Sequence, residues 1–495
     1  MDRQRPRSSS RPSETGASAR ARGHAHLRAG QPAAAIAAFK QARGERPDDP
    51  DLCIELAQAL REVGDVPAAL AQLQECVRRA PDSRDGWYAL GNALAAATRT
   101  DEARAAYERA LACDPGFVHA RSALGDTLKH LGDLDGAIAC YRACLRDRAF
   151  APRAWFQIAN TKTVPMSAQD ASALRALLAD AGLRDADRVF CGFALGKALE
   201  DQGLYRAAFA AIDEANRLAH RHAPWNARQF SAQIDAVAAA FDQPLASTDD
   251  ARLGREVVFV VSMPRAGSTL AVQILSAHSQ VEAAGELPDL EAVLMAESKR
   301  RGIAFPGWVR QAAPADWQRL GEDYLARTAR WRHAKPISID KGLLNWALLG
   351  AAAAMLPGAR FIDCRRDPLE TCLSCYRQLF AFGNHFSYDI DALAAYWHDY
   401  DRLCRVWRGV LGERLFAHAY EDLQADPQAQ IRRMLAFLDL AFEPACLQFH
   451  RSGRIVRTFS APQVRQPLQR DTARAHRYGA ALEPLRSALR RAGWT

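Results

Sequence analysis

Apolar and small side chains return every 34 positions through the first third of the chain. Leu56, Leu90, Leu124 and Ile158 keep that step, as do Ala35, Ala69, Ala103 and Ala137. Phe39, Leu73, Tyr107 and Tyr141 form a third phased set, and Pro47, Pro81 and Pro115 a fourth. Gly30, Gly64 and Gly132 mark the turn, with Thr98 in the remaining place. Within each period the pattern predicts two short helices. Small residues (Ala57, Gly91, Gly125) stand where the helices approach, and larger ones fill the seam. Such a unit cannot bury its apolar face alone, so neighbours stack and share a core. Four units fit between 17 and 160, with a further first helix at "RAWFQIANTK". Leu195, Gly196, Gly203, Ala208 and Ile212 repeat the internal spacing later on, which predicts helix through 164–250 as well.

The period and its several phased positions resemble tetratricopeptide repeats. That resemblance implies an all-α solenoid whose concave groove takes a peptide; the alternative is an array that only scaffolds or oligomerises.

From about 251 the pattern changes. Short β-rich runs, "VVFVVS", "QVEAA", "PISID", "ARFIDC" and "RLFAHAY", alternate with helical stretches. This alternation predicts a parallel sheet covered on both faces. Ligands of such sheets bind beyond the carboxyl ends of the strands. There the chain places Arg265 to Thr269, Glu286, Lys341, Arg366 and Tyr420, one group after each run. In "VVFVVSMPRAGSTLAVQIL" a strand meets a Gly turn and then a helix start, the local design of a phosphate cradle. Arg265, Ala266, Gly267, Ser268 and Thr269 would direct N–H groups and two hydroxyls at an anion. No lysine follows the glycine as in a nucleoside-triphosphate loop, which disfavours a kinase or NTPase. Ser374 lies eight residues after Arg366 in "CRRDPLETCLS", two turns along the helix expected from Asp367-Pro368.

Composition changes this picture little. A chain of 495 residues implies two or three domains. A net charge of +8 suits anionic ligands but is too diffuse for a nucleic-acid partner. The longest apolar run, "WALLGAAAAML", is too short to span a bilayer. Eleven cysteines follow no framework spacing, so the expected compartment is the cytoplasm. "CLSC" at 372–375 lacks a second pair or a histidine partner, and no metal is expected. The start, "MDRQRPRSSSRPSETG", reads as a disordered tail over 1–16, without a signal-peptide core.

"MPRAGSTL", "GELP", "IDKGLLN", "CRRDPLETCLS", "YEDL" and "QVRQP" together resemble sulfotransferases, above all the tyrosylprotein branch and bacterial chains that join tetratricopeptide repeats to such a domain. The resemblance implies 3′-phosphoadenosine 5′-phosphosulfate as donor. The 265–269 loop would hold its 5′-phosphosulfate, and Arg366 and Ser374 its 3′-phosphate. Glu286 matches the general base, beside the apolar Leu287-Pro288. Arg265 and Lys341 match the residues that neutralise the sulfate and the bridging oxygen. Asn345 is expected to position that loop and not to act on substrate. Tyr420 matches a tyrosine near the nucleotide, and Ser460 a serine at the donor. The tail reads "RAHRYG" where relatives carry Arg-Trp, so Arg474 and Arg477 both stand as 3′-phosphate partners. The acceptor is a protein tyrosine, a saccharide or a small hydroxyl compound; the non-catalytic alternative is a repeat scaffold with an inert transferase domain. The expected organisation is a tail over 1–16, repeats over 17–163, a helical connector over 164–250, and a P-loop-like α/β sulfotransferase domain over 251–495.

Overall fold

The structure is a computed structural model. It describes residues 14–494, except 48, 243–247, 249, 333–334, 381–382, 453–463 and 470–471. The chain divides into two compact units, Met1–Ile158 and Ala159–Thr495. The 164–250 segment thus belongs with the sheet and not with the repeats. Most of the expected tail lies outside the described residues, and the chain is already helical from Glu14.

The first unit is a run of antiparallel helix pairs: α1 (Glu14–Arg28), α2 (Pro32–Glu45), α3 (Pro50–Glu62), α4 (Val66–Arg79), α5 (Arg84–Ala96), α6 (Thr100–Cys113), α7 (Val118–Leu131) and α8 (Leu134–Cys144), followed by α9 (Ala151–Ala159). The phased positions explain the packing. Phe39, Tyr107 and Tyr141 are wholly or almost wholly buried, and each lies over a glycine sixteen residues earlier. A Cβ at Gly91 would stand 2.5 Å from Tyr107, and one at Gly125 2.6 Å from Tyr141. Aspartates at 65 and 133 cap α4 and α8, accepting from Ala68 N and Gly136 N. The turns between paired helices need a left-handed residue. Gly30, Gly64 and Gly132 supply it, and Thr98 is forced to the same φ of 65°.

The second unit begins with α10 (Ala168–Leu178), α11 (Asp185–Asp201), α12 (Tyr205–His222) and α13 (Ala227–Ala240). Five parallel strands follow, in the order β2-β3-β1-β4-β5. They are β1 (Val257–Ser262), β2 (Val281–Gly285), β3 (Ile337–Asp340), β4 (Arg360–Arg365) and β5 (Leu415–Ala419). All five expected runs are strands. The connecting helices are α14 (Ser268–Ser276), α15 (Asp289–Arg301), α16 (Pro314–Thr328), α17 (Leu349–Met355), α18 (Pro368–Tyr376) and α19 (Ile390–Leu411). After β5 come α20 (Tyr420–Ala425) and α21 (Pro427–Phe437).

β1 is buried along its whole length because both faces are covered. Val258 and Val260 meet Ala271, Ile274 and Leu275 of α14 and Ile431, Met434 and Leu435 of α21 in one core. Phe259 turns to the other face, where its ring stacks on Phe361 at 5.5 Å and meets Tyr324 of α16 at 5.7 Å. The chain runs outward from β1 to β2, returns to β3, then crosses β1 to reach β4. The switch point therefore lies between the carboxyl ends of β1 and β4, where Ser262 pairs with Cys364.

Candidate functional site

At the switch point the loop after β1 and the start of α18 meet. Arg265 and Gly267 both take left-handed backbone, with φ of 70° and 98°. A Cβ on Gly267 would also stand 2.8 Å from Tyr420 Cδ2, so conformation and space both demand glycine there. α14 starts at Ser268, and its first N–H groups have no partner within the helix. Ser268 and Thr269 are buried. The Ser268 Oγ accepts from Ser262 Oγ at 2.9 Å, which anchors the loop to the end of β1.

α18 begins with Asp367, whose side chain accepts from Glu370 N at 2.8 Å. Glu370, Ser374 and Arg377 then lie four and three residues apart, on one face of the helix. Arg265 Nε donates to Ser374 Oγ at 3.1 Å. Arg366 Nη2 donates to Thr472 O at 3.2 Å and lies 3.5 Å from Glu370 Oε2. Its guanidinium stands 4.9 Å from the centroid of the Tyr420 ring. Tyr420 is buried, with its hydroxyl 3.2 Å from Thr472 Oγ1. Glu370 Oε1 accepts from Arg474 N (2.8 Å) and Ala475 N (2.7 Å), which ties the tail to α18. The Arg474 guanidinium turns away to Glu200 Oε1 of α11 at 2.5 Å, and Arg377 pairs with the same carboxylate.

The electrostatics follow. Burial, helped by the neighbouring Arg366, Arg377 and Arg474, lowers the Arg265 pKa to about 10. The group stays protonated near neutral pH, among three further guanidinium groups. A phosphate or sulfate is the complement such a cluster fits.

The neighbouring strands β2 and β3 bring a second group together. Lys341 N donates to Gly285 O at 2.9 Å, and Lys341 Nζ is ion-paired with Glu286. The lysine side chain is 7% exposed and the carboxylate 42%. The apolar burial expected for Glu286 beside Leu287-Pro288 is therefore absent: the side chain reaches outward to the lysine. Lys341 makes no surface pair with Asp340. Asp340 instead accepts from Tyr324 Oη at 2.8 Å and Asn345 Nδ2 at 3.1 Å, inside the domain. Asn345 thus braces the 341–345 turn.

Arg265 bonds to Ser374; Arg366, Tyr420 and Arg474 are joined through Glu370 and Thr472, close enough for Arg366 and Arg474 to act on the Arg265 charge; Glu286 and Lys341 form a separate pair. Ser460 lies outside the described residues. The thiols of Cys372 and Cys375 are buried and their pKa values are raised by that burial. Cys375 Sγ sits 3.2 Å from Pro264 O, packing α18 on the loop. Among the described residues no three His, Cys, Asp or Glu side chains gather to hold a metal, and no helix is long and apolar enough to cross a membrane. Sequence reading missed Glu370, Arg377 and Glu200. The first two carry a signal, because 366, 370, 374 and 377 make a polar stripe on an otherwise apolar helix. Glu200 carries no such signal, standing beside Asp201 in a helix with several other charged residues.

The site is a cluster of arginines at the switch point of a parallel sheet, with an ion-paired carboxylate at the ends of the neighbouring strands β2 and β3. Residues 257–444 match the sulfotransferase family, and residues 17–59, 54–116 and 94–155 match tetratricopeptide repeats. The chain thus carries both kinds of domain. An uncharacterized protein of Aquifex aeolicus (strain VF5) is 27% identical over 351 residues, 68% of this chain and 46% of its own length. The chain therefore spans about half the length of that curated relative. Among solved structures, the sulfotransferase domain of the Synechococcus PCC 7002 olefin synthase is 19% identical, covering 51% of this chain and 98% of its own, with a TM-score of 0.32. The sulfotransferase domain from the curacin biosynthetic pathway is 20% identical, covering 44% and 83%, with a TM-score of 0.31.

Proposed function

We propose that the protein transfers a sulfuryl group from 3′-phosphoadenosine 5′-phosphosulfate to an acceptor hydroxyl. The observation that carries this reading is the buried Arg265 set beside Arg366, Arg377 and Arg474 at the sheet's switch point. The donor supplies the sulfuryl group and a good leaving phosphate. The 265–269 loop and the start of α14 hold the 5′-phosphosulfate through N–H groups, hydroxyls and the Arg265 guanidinium. Arg366 and Ser374 hold the 3′-phosphate, with Tyr420 fixing the Arg366 plane. Lys341 places positive charge at the oxygen between phosphorus and sulfur.

Glu286 is the general base. Its exposed carboxylate takes the proton of the acceptor hydroxyl as the new S–O bond forms and the S–O bond to the phosphate breaks. In the structure that carboxylate is paired with Lys341; on this reading the two separate as acceptor and donor enter. We take the acceptor to be a protein tyrosine, held through a groove of the repeats lined by Ile54, Gln58, Arg61, Tyr88 and Asn92. The free thiols suit a reducing cytoplasm.

Calorimetry tests the donor. Adenosine 3′,5′-bisphosphate should bind far more tightly than ATP, and without magnesium. Equal or magnesium-dependent ATP binding would sink the assignment.

A further inference from the structure

The donor cleft has a wall that the sulfotransferase reading does not supply. Glu200, on α11, is 3% exposed and bonded to two arginines that sit far along the chain, Arg377 and Arg474. We propose that Glu200 is a positioning residue of the donor site. From the helical segment before the sheet, it aims Arg377 and Arg474 toward the space bordered by Arg265 and Ser374, where they meet the donor's second phosphate. This rests on the donor assigned above and deepens it.

Three observations support the inference. First, the two arginines need a holder. Arg474 has its backbone fixed by Glu370, but its side chain is 41% exposed and has solvent open to it. Arg377 keeps a buried Nε with no hydrogen-bond partner among the described residues. A carboxylate shared between them sets both guanidinium planes at once.

Second, the holder is rigid. A Cβ at Gly196 would overlap Ile212, so α11 and α12 are in close contact one turn before Glu200. Asp201, next in sequence, pairs with Lys197 and accepts from Met166 N at 2.8 Å. The tail is clamped from the same side, with the Tyr478 ring 5.3 Å from Tyr205 and 6.4 Å from Phe209 of α12.

Third, the charges match. Arg265, Arg366, Arg377 and Arg474 face the carboxylates Glu200 and Glu370. The cluster is rich in guanidinium groups, whose planar donors the oxygens of a phosphate complement. Without Glu200, mutual repulsion would drive the half-exposed Arg474 side chain outward, and the preorganised contact would be lost.

The test compares adenosine 3′,5′-bisphosphate with AMP by calorimetry on the full chain. The wild type should prefer the bisphosphate. Glu200→Gln should shrink that preference about tenfold while leaving AMP affinity alone, the loss expected when one charge-assisted contact is misaligned. Glu200→Asp should recover part of it. Arg474→Ala, at a side chain 41% exposed, should weaken the bisphosphate alone, and adding Glu200→Gln to it should cost less than in the wild type. Equal losses for both nucleotides would make Glu200 merely structural and overturn the inference. So would an unchanged preference, or a wider one, which would mean that the carboxylate only repels phosphate. Should Glu200→Gln not fold, the Arg474→Ala result decides alone: a loss confined to the bisphosphate supports the inference and any other result overturns it. A wild type without preference for the bisphosphate fails at an earlier step, by removing the donor itself.

Discussion

The hairpins α7–α8 and α11–α12 are built alike and used differently. In each, a glycine in the first helix admits a large side chain sixteen residues later: Gly125 under Tyr141, Gly196 under Ile212. In each, a glycine with positive φ makes the turn, Gly132 or Gly203. The polar residues diverge. On α7, Ser122 and Asp126 bond to Gln157 of α9, at 2.8 Å and 3.1 Å from its Nε2, and Asp126 accepts from Tyr141 Oη at 2.8 Å. These bonds stay within the stack. On α11 and α12, Glu200 reaches Arg377 and Arg474, Asp213 accepts from Tyr376 Oη at 2.6 Å, and Asn216 Nδ2 donates to Tyr376 O at 2.8 Å. The same hairpin is a self-stacking unit in one place and a buttress for α18 in the other. Apolar register makes the hairpin; a few polar side chains, which that register leaves free, decide what it serves.

The sharpest way to break this contrast is to remove the hairpins in turn. A chain beginning at Ala159 keeps the buttress and should bind adenosine 3′,5′-bisphosphate as the full chain does. A chain beginning near 251 loses Glu200, Asp213 and Asn216 and should show no measurable binding. Binding retained by the shorter chain would reduce α11–α12 to a spacer.

A second contrast separates holding from chemistry. Glu286 pairs with Lys341 at the ends of β2 and β3, so Glu286→Gln should leave bisphosphate affinity unchanged while turnover falls about a hundredfold or more. Normal turnover with glutamine would assign the base elsewhere.

How much of this the sequence discloses depends on the range of each contact. The helix pairs are legible because each apolar position is repeated, so Leu56, Leu90, Leu124 and Ile158 corroborate one another. The strands are legible from β-branched runs bounded by turns, and all five expected runs are observed. Arg265, Glu286, Lys341 and Arg366 are legible as candidates because each follows a strand, where the fold concentrates ligand contacts. Their partners are not. Nothing local announces that Lys341 turns to Glu286 and leaves Asp340 to Tyr324, nor that Arg474 crosses to Glu200. Those pairings arise from strand order and from side chains as far as 274 residues apart, which periodicity does not encode.

Valine at the two hairpin glycines sharpens the comparison further. Each substitution should cost about 1–3 kcal/mol through overpacking. Gly125→Val should lower the stability of the repeats and leave the bisphosphate affinity alone. Gly196→Val should lower that affinity too, because it moves the helix that carries Glu200. Differential scanning calorimetry and nucleotide titration on both variants separate the outcomes. A fall in nucleotide affinity with Gly125→Val would show that the hairpins are not distinct in use.

The smallest expected difference is in pH response, and two aspartates report it. Partial burial works against charge on Asp126 of α7, but the Lys129 ammonium and the Tyr141 hydroxyl outweigh it and hold the pKa below the ordinary value. Asp340 at the end of β3 is more fully enclosed, and burial raises its pKa to about 7 despite bonds from Tyr324, Gly342 and Asn345. The signs are opposite. Asp126 stabilises the folded repeats above the unfolded carboxyl value of about 3.9, and that contribution is lost as pH falls through its folded pKa. Asp340 keeps its proton in the folded chain after the unfolded chain has released it. Stability of the second unit should therefore fall as pH rises from about 4 to about 7, by at most about 1.4 kcal/mol per pH unit, and level off above. Amide hydrogen exchange read separately in α7 and β3, and corrected for intrinsic rates, checks both. Asp340→Asn should flatten the slope in β3 across that window and leave α7 unchanged, while Asp126→Asn should flatten the acid-side loss in α7 alone. A β3 slope that survives Asp340→Asn would mean the carboxyl is already charged at pH 5, and that its ring of hydrogen bonds outweighs its burial as Lys129 and Tyr141 do for Asp126.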